Sequence, residues 1–68
     1  MDGNSFSFLQ DVIITLHGNI RELKERKNFA DPEELSYIEG KLQGYMEMLG
    51  ILRASAEEFD IPNQDFGL

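Results

Sequence analysis

The stretch DPEELSYIEGKLQGYMEMLGILRASAEEFD, residues 31–60, decides the fold. It opens on Asp31-Pro32-Glu33-Glu34, a helix start, and then places apolar residues at Leu35, Ile38, Leu42, Tyr45, Leu49, Leu52, Ala56 and Phe59. The steps alternate three and four without a break, which is the heptad seam of a packed helix. Asp31 supplies the cap, Pro32 suits the first helical position because its missing N–H costs nothing there, and Glu34 completes a capping box. Pro62 cannot continue a helix and holds Ile61 extended, so this helix is predicted over 32–60.

Upstream, the same alternation recurs at Phe6, Leu9, Ile13, Leu16, Ile20 and Leu23, and a shorter row of Phe8, Val12 and Thr15 widens the apolar face. A first helix is predicted over 6–27, capped by Ser5 or by Ser7 with Gln10 in capping-box spacing. The run Val12–Leu16, β-branched through Thr15, would also suit a strand, but the helical spacing continues on both sides and no second strand exists to pair with it. Arg21, Lys24, Arg26 and Lys27 gather at the helix end, where cations complement the macrodipole. Arg21–Glu25 and Glu22–Arg26 stand at i, i+4 spacing. Only Asn28-Phe29-Ala30 separates the helices, with Asn28 suited to a left-handed stop. A connection this short makes the helices antiparallel neighbours. The expected fold is an all-α antiparallel hairpin, one domain over 1–68, with flexible tails at 1–4 and 62–68. Phe66 and Leu68 in the second tail are free either to dock back or to hang loose.

A chain of 68 residues buries a small core and ordinarily needs disulfides, a metal or oligomerisation. The absence of cysteine removes disulfides and thiolate metal sites, and the lone His17 cannot build a zinc site. Oligomerisation is left. Thirteen acidic residues against six Lys and Arg give a formal charge of −7, which repels nucleic-acid phosphate and anionic membranes. No basic region precedes the first apolar residues, and no apolar run is long enough to span a bilayer, so a cytoplasmic protein is expected.

One helix facing one other covers only the seam. A second face remains, comprising Phe8 and Val12 on the first helix with Tyr37, Gly40, Gly44, Met46, Met48 and Ile51 on the second. An apolar strip of this kind marks an association surface. Gly40, Gly44 and Gly50 cost about 3 kcal/mol in helix propensity against alanine, a cost that tight packing or a hinge would offset. Two hairpins stacked as a four-helix bundle would cover the strip. Acidic residues collect toward the termini and cations toward the loop, so an antiparallel homodimer is expected from charge complementarity. The acidic last turn, Glu57, Glu58 and Asp60, opposes the helix dipole and would meet the basic end of the other copy.

No motif carries chemistry. Asp11 and His17 are six residues apart and lie on different faces of one helix. Glu33-Glu34 and Glu57-Glu58 read as capping and as a solvated face. Gly-rich phosphate loops, metalloprotease and EF-hand signatures and nucleophile elbows are absent from the sequence. Catalytic residues, cofactors and metals are therefore not expected.

In architecture, residues 6–60 resemble the Rop family of plasmid copy-number regulators, whose short hairpins dimerise into antiparallel four-helix bundles. That family binds RNA through a basic, aromatic-bearing face, and this acidic chain has no such face. Asp31-Pro32-Glu33-Glu34-Leu35 is similar to the second-helix start of the small sporulation aspartyl-phosphate phosphatases. Their Ser-Gln-Glu-Leu-Asp signature is replaced here by Ile38-Glu39-Gly40-Lys41-Leu42-Gln43. Tyr37–Leu42 with Ala56–Ile61 also resembles short reading frames of bacteria and mobile elements. The expectation is a non-enzymatic dimeric regulator or adaptor of bacterial or phage type, with itself and another protein as partners. The alternatives are an acidic inhibitor occupying a basic, nucleic-acid-binding surface and a two-component phosphatase or kinase modulator.

Overall fold

A computed structural model describes residues 3–68. Helix α1 (Gly3–Lys27) and helix α2 (Pro32–Glu58) pack together as a hairpin, and a single 3₁₀ turn over Asn63–Phe66 folds back against both. The whole measures 44 × 20 × 15 Å. The fold is all-α, as the two heptad rows require. Met1 and Asp2, half of the expected N-terminal tail, lie outside the described residues, whereas Gly3 and Asn4 belong to α1.

The core is one seam. Ile13, Leu16, Ile20 and Leu23 on α1 and Ile38, Leu49 and Ala56 on α2 are buried, with Ile38 at 0% and Leu49 at 1% exposure. Val12, Leu42, Tyr45, Leu52 and Leu68 pack around Leu16, Ile20 and Leu49. Phe6, Leu9 and Leu35 are half-buried where the seam runs out toward its ends.

Phe59 departs from the predicted seam and is 72% exposed. The cause is the way α2 stops. The Ile61 amide donates to the Ala56 carbonyl at 2.8 Å, the Asp60 amide donates to Glu57 at 3.1 Å, and Asp60 takes a left-handed φ of 56°. This is a Schellman stop, which normally uses glycine at the left-handed position. The reversal brings Ile61 back over Ala56, so Ile61 covers the end of the core and Phe59 points away.

The other helix ends also differ in detail from expectation. Ser5 and Ser7 lie inside α1 rather than capping it. Asn28 does not take a positive φ. Instead α1 tightens, with Asn28 N–H donating to Glu25 and Phe29 N–H to Arg26 at 3.2 and 3.0 Å. At the start of α2, Asp31 Oδ1 accepts from the Glu34 amide at 2.9 Å, as a cap should. The Glu34 carboxylate does not close the box. It turns to Arg26 at 3.0 Å, and Lys27 reaches Glu39 at 3.6 Å. These two exposed pairs bridge the helices across the loop, each worth about 0–1 kcal/mol. Arg26 is thereby used between helices, not with Glu22 along its own.

The segment over 62–68, expected as a flexible tail, instead has defined contacts. Gly67 at φ 72° ends the 3₁₀ turn, and the Leu68 amide donates to the Asn63 carbonyl at 2.9 Å. Gln10 Nε2 donates to the Asp65 carbonyl at 3.3 Å, His17 Nε2 meets the Gly67 carbonyl at 3.1 Å, and Leu68 joins the core. Of the two residues expected to dock or hang loose, Leu68 docks; the Phe66 side chain lies outside the described residues.

Two substitutions test this packing. Leu49→Ala is expected to cost about 2–5 kcal/mol in urea unfolding, because a fully buried leucine leaves a cavity; a neutral result would mean that the seam is misassigned. Asp60→Gly is expected to stabilise by about 1 kcal/mol, since glycine takes the left-handed conformation freely and the change removes a negative charge beside the dipole's negative end.

Candidate interaction face

Helical spacing sorts what the seam leaves over into two flanks. On α1, Phe8, Val12, Thr15 and Asn19 form one row; on α2, Tyr37, Gly44, Met48 and Ser55 form another. Both rows lie on one side of the hairpin, where Asn19 Nδ2 donates to the Tyr45 hydroxyl at 3.3 Å and Asn19, Leu23, Lys41 and Tyr45 line a shared groove. This side carries large exposed apolar groups: Phe8 is 68% exposed, Tyr37 60%, Met48 47% and Ile51 66%. Its central charge is Lys41, whose ammonium sits 5.3 Å from the centre of the Tyr37 ring, a cation–π contact of about 0.5–1 kcal/mol at an exposed site. Toward the loop the face is bounded by the Arg26–Glu34 pair.

The opposite flank is polar. Gln10, His17, Arg21 and Lys24 of α1 and Glu39, Arg53 and Glu57 of α2 lie there, and the C-terminal turn covers part of it through Gln10 and His17.

The structure divides the residues predicted for a partner face between the two flanks. Phe8, Tyr37, Gly44, Met48 and Ile51 are exposed on one side, with Ile51 and Gly44 toward its outer edge. Val12 is half-buried against the core and so belongs to both seam and face. Met46 is exposed but lies across the seam, three residues before Leu49 and four after Leu42, on the polar flank. Gly40 points away from α1 altogether. Phe59, which the heptad spacing places in the seam, is exposed and flanks the same side as Met48. Ile14 and Phe29 are also exposed, the first beside the C-terminal turn and the second at the loop tip. The glycines have no packing partner inside the chain, because a Cβ at Gly40, Gly44 or Gly50 would meet nothing within 4 Å.

At the terminal end an open groove of about 190 Å³ runs between Leu9, Ile13, Leu52, Ala56, Ile61 and Leu68, with Ser55 and Phe59 on its rim. Its walls are apolar, and Ser55 Oγ is the one hydroxyl beside it. Charge is distributed unevenly along the long axis. Arg21, Lys24, Arg26, Lys27 and Lys41 all lie in the loop half, so the terminal half has Arg53 alone against Asp11, Glu57, Glu58, Asp60 and Asp65. The loop half is not basic in net terms, however. Seven acids accompany its five cations, and Arg26 and Lys27 are already paired with Glu34 and Glu39.

Among the described residues no three His, Asp or Glu side chains converge to hold a metal ion, and no buried residue is polar or charged. No helix among them is long and apolar enough to cross a membrane. His17 spends its Nε2 on the Gly67 carbonyl and has no carboxylate beside it to orient it as a base. What the arrangement offers is contact surface. No family model matches the chain, and neither does a curated protein or a solved structure.

Gly50 lies on the polar flank of α2, away from the apolar face. Gly50→Ala is therefore expected to raise hairpin stability by about 1 kcal/mol through helix propensity alone, read as a higher urea midpoint at unchanged slope. A loss of stability would show that the backbone at Gly50 is closely approached.

Proposed function

We propose that the chain is a non-catalytic helical interaction protein, a small regulator or adaptor of bacterial or phage type that works through self-association and through contact with a second protein. One observation carries this reading: Phe8, Tyr37, Met48 and Ile51 stand exposed on one side of the hairpin, with Lys41 as the charge among them, on a surface otherwise rich in charge. A monomer gains nothing from leaving these groups in water, since each large apolar side chain covered contributes about 1.5–3 kcal/mol. The small core supports the same reading, because among the described residues Ile38 and Leu49 alone are less than 2% exposed.

A second reading is favoured by the cation-poor terminal half. Asp11, Glu57, Glu58, Asp60 and Asp65 suit docking against a basic surface such as one that otherwise holds nucleic-acid phosphate. The two readings use different parts of the molecule and differ in salt dependence.

Affinity capture separates them when wild-type bait is compared with Ile51→Glu bait and with bait carrying Glu57→Gln and Glu58→Gln together. On the first reading the captured protein is lost with Ile51→Glu and survives high salt. Loss only with the double glutamine bait, abolished by about 0.3 M salt, would favour the acidic inhibitor. A captured set unaltered by any of these changes would remove both.

A further inference from the structure

We infer that the second protein presents an amphipathic helix to this face, its apolar row lying along the groove between α1 and α2 and one of its carboxylates closing on Lys41. This rests on the second-protein part of the reading above and names that partner's chemistry.

The groove changes character along its length. From Phe8 and Val12 across to Met48, Ile51 and Leu52 its walls are apolar. Toward the loop it opens into a polar notch of about 220 Å³ between Asn19, Glu22 and Arg26 of α1 and Lys41 and Tyr45 of α2. The notch offers mainly donors. Lys41 is exposed and makes no ion pair among the described residues. Its ammonium has the Tyr37 ring 5.3 Å away as its one contact of this kind. Tyr45 accepts from Asn19 Nδ2, which leaves the phenolic hydrogen without an acceptor among the described residues. Arg26 is held by Glu34 through one nitrogen. Glu22 is the one carboxylate lining the notch, and it pairs with neither cation.

Lys41 stands four residues after Tyr37, three before Gly44 and seven before Met48, so it lies within the apolar row and not at its rim. Any surface that covers both Tyr37 and Met48 takes the ammonium out of water. A charge removed from water is tolerated when it is paired and hydrogen-bonded, and is costly otherwise. A carboxylate on the covering surface supplies the pair, and the Tyr45 hydroxyl is placed to donate to the same group. A small free anion would satisfy Lys41 but leave the apolar stretch bare. A helix satisfies both, because two antiparallel helices leave a groove between them that a third fills. From Lys41 to Ser55 is fourteen steps of helix, so the partner lies along about 21 Å, or about four turns. Gly44, where a Cβ would meet nothing, leaves its backbone room to come close beside the carboxylate.

Defined peptides test this. Labelled helix-forming peptides of about 18 residues, built from alanine and glutamine with a leucine row at three–four spacing, carry one glutamate at either the first or the last turn of that row. Twins carry glutamine or lysine in its place. Binding to the hairpin is read by fluorescence anisotropy at near-physiological salt. One glutamate peptide is expected to bind about tenfold or more tighter than its glutamine twin, although the overall charge of −7 would by itself favour the lysine twin. Lys41→Gln should erase that preference, and Lys41→Glu should reverse it toward lysine. Ile51→Glu should abolish binding of every peptide. Helicity by circular dichroism should not change in these variants, since Lys41 and Ile51 are both exposed. Equal binding of the glutamate and glutamine twins, or a preference that survives Lys41→Gln, would overturn the carboxylate anchor and leave the apolar face standing. Binding untouched by Ile51→Glu would remove the face itself, and with it the reading above. No binding by any peptide would overturn the helical partner. A dimer in sedimentation that Lys41→Gln dissolves would also overturn it, by assigning the carboxylate to a second copy of this chain.

Discussion

Everything in this molecule depends on one strip of side-chain packing, where Ile38 and Leu49 of α2 close against Ile13, Leu16, Ile20 and Leu23 of α1. A sheet or a third helix would have given these residues more neighbours. Two helices supply a single line of contact, and beyond that line every apolar side chain is half wet. The remaining structure can be read as adjustment to this shortage. Ile61 and Leu68 return from the C-terminal segment to cover the terminal end of the seam. Arg26 and Lys27 reach across the loop to Glu34 and Glu39 at the other end. The loop end adds little energy, because its ion pairs are exposed; the terminal end adds the apolar contacts of Ile61 and Leu68 to a few surface hydrogen bonds.

The same shortage gives the hairpin its two unlike sides. The C-terminal segment leaves α2 toward the Gln10 and His17 flank of α1 and occupies it. The opposite side receives no such cover and holds Phe8, Tyr37, Met48, Ile51 and Phe59. A fold with one occupied side and one apolar open side is suited to stacking.

The seam was legible because three–four alternation is a global pattern, repeated across both helices and insensitive to any one residue. Asp31-Pro32 was legible for a different reason, since a cap and a proline act within one turn. What was not legible depended on choices between near-equal local options. Either Asn28 or Asp60 can take a left-handed φ; the chain uses Asp60, because there the reversal lets Ile61 cover Ala56, whereas at Asn28 the loop is free to tighten instead. Glu34 had two partners in reach, the Asp31 amide and Arg26, and the charged one prevailed. The docking of Leu68 needed a surface that exists only once both helices have paired. Met46 is surplus to the seam like Met48, but it falls on the polar flank, a division set by where the seam runs along α2. The candidate face was therefore half readable: its residues were recognised as surplus, but their division between two flanks, and the membership of Phe59, required the helices to be set side by side.

If the open side is covered by another copy, hairpin stability is tied to protein concentration by mass action. Thermal unfolding followed by circular dichroism from about 2 to 200 µM chain tests this most directly. A midpoint that climbs steadily across that hundredfold range, at unchanged helical content, is the expected result. A midpoint independent of concentration would contradict it and would mean that the single seam between α1 and α2 suffices alone.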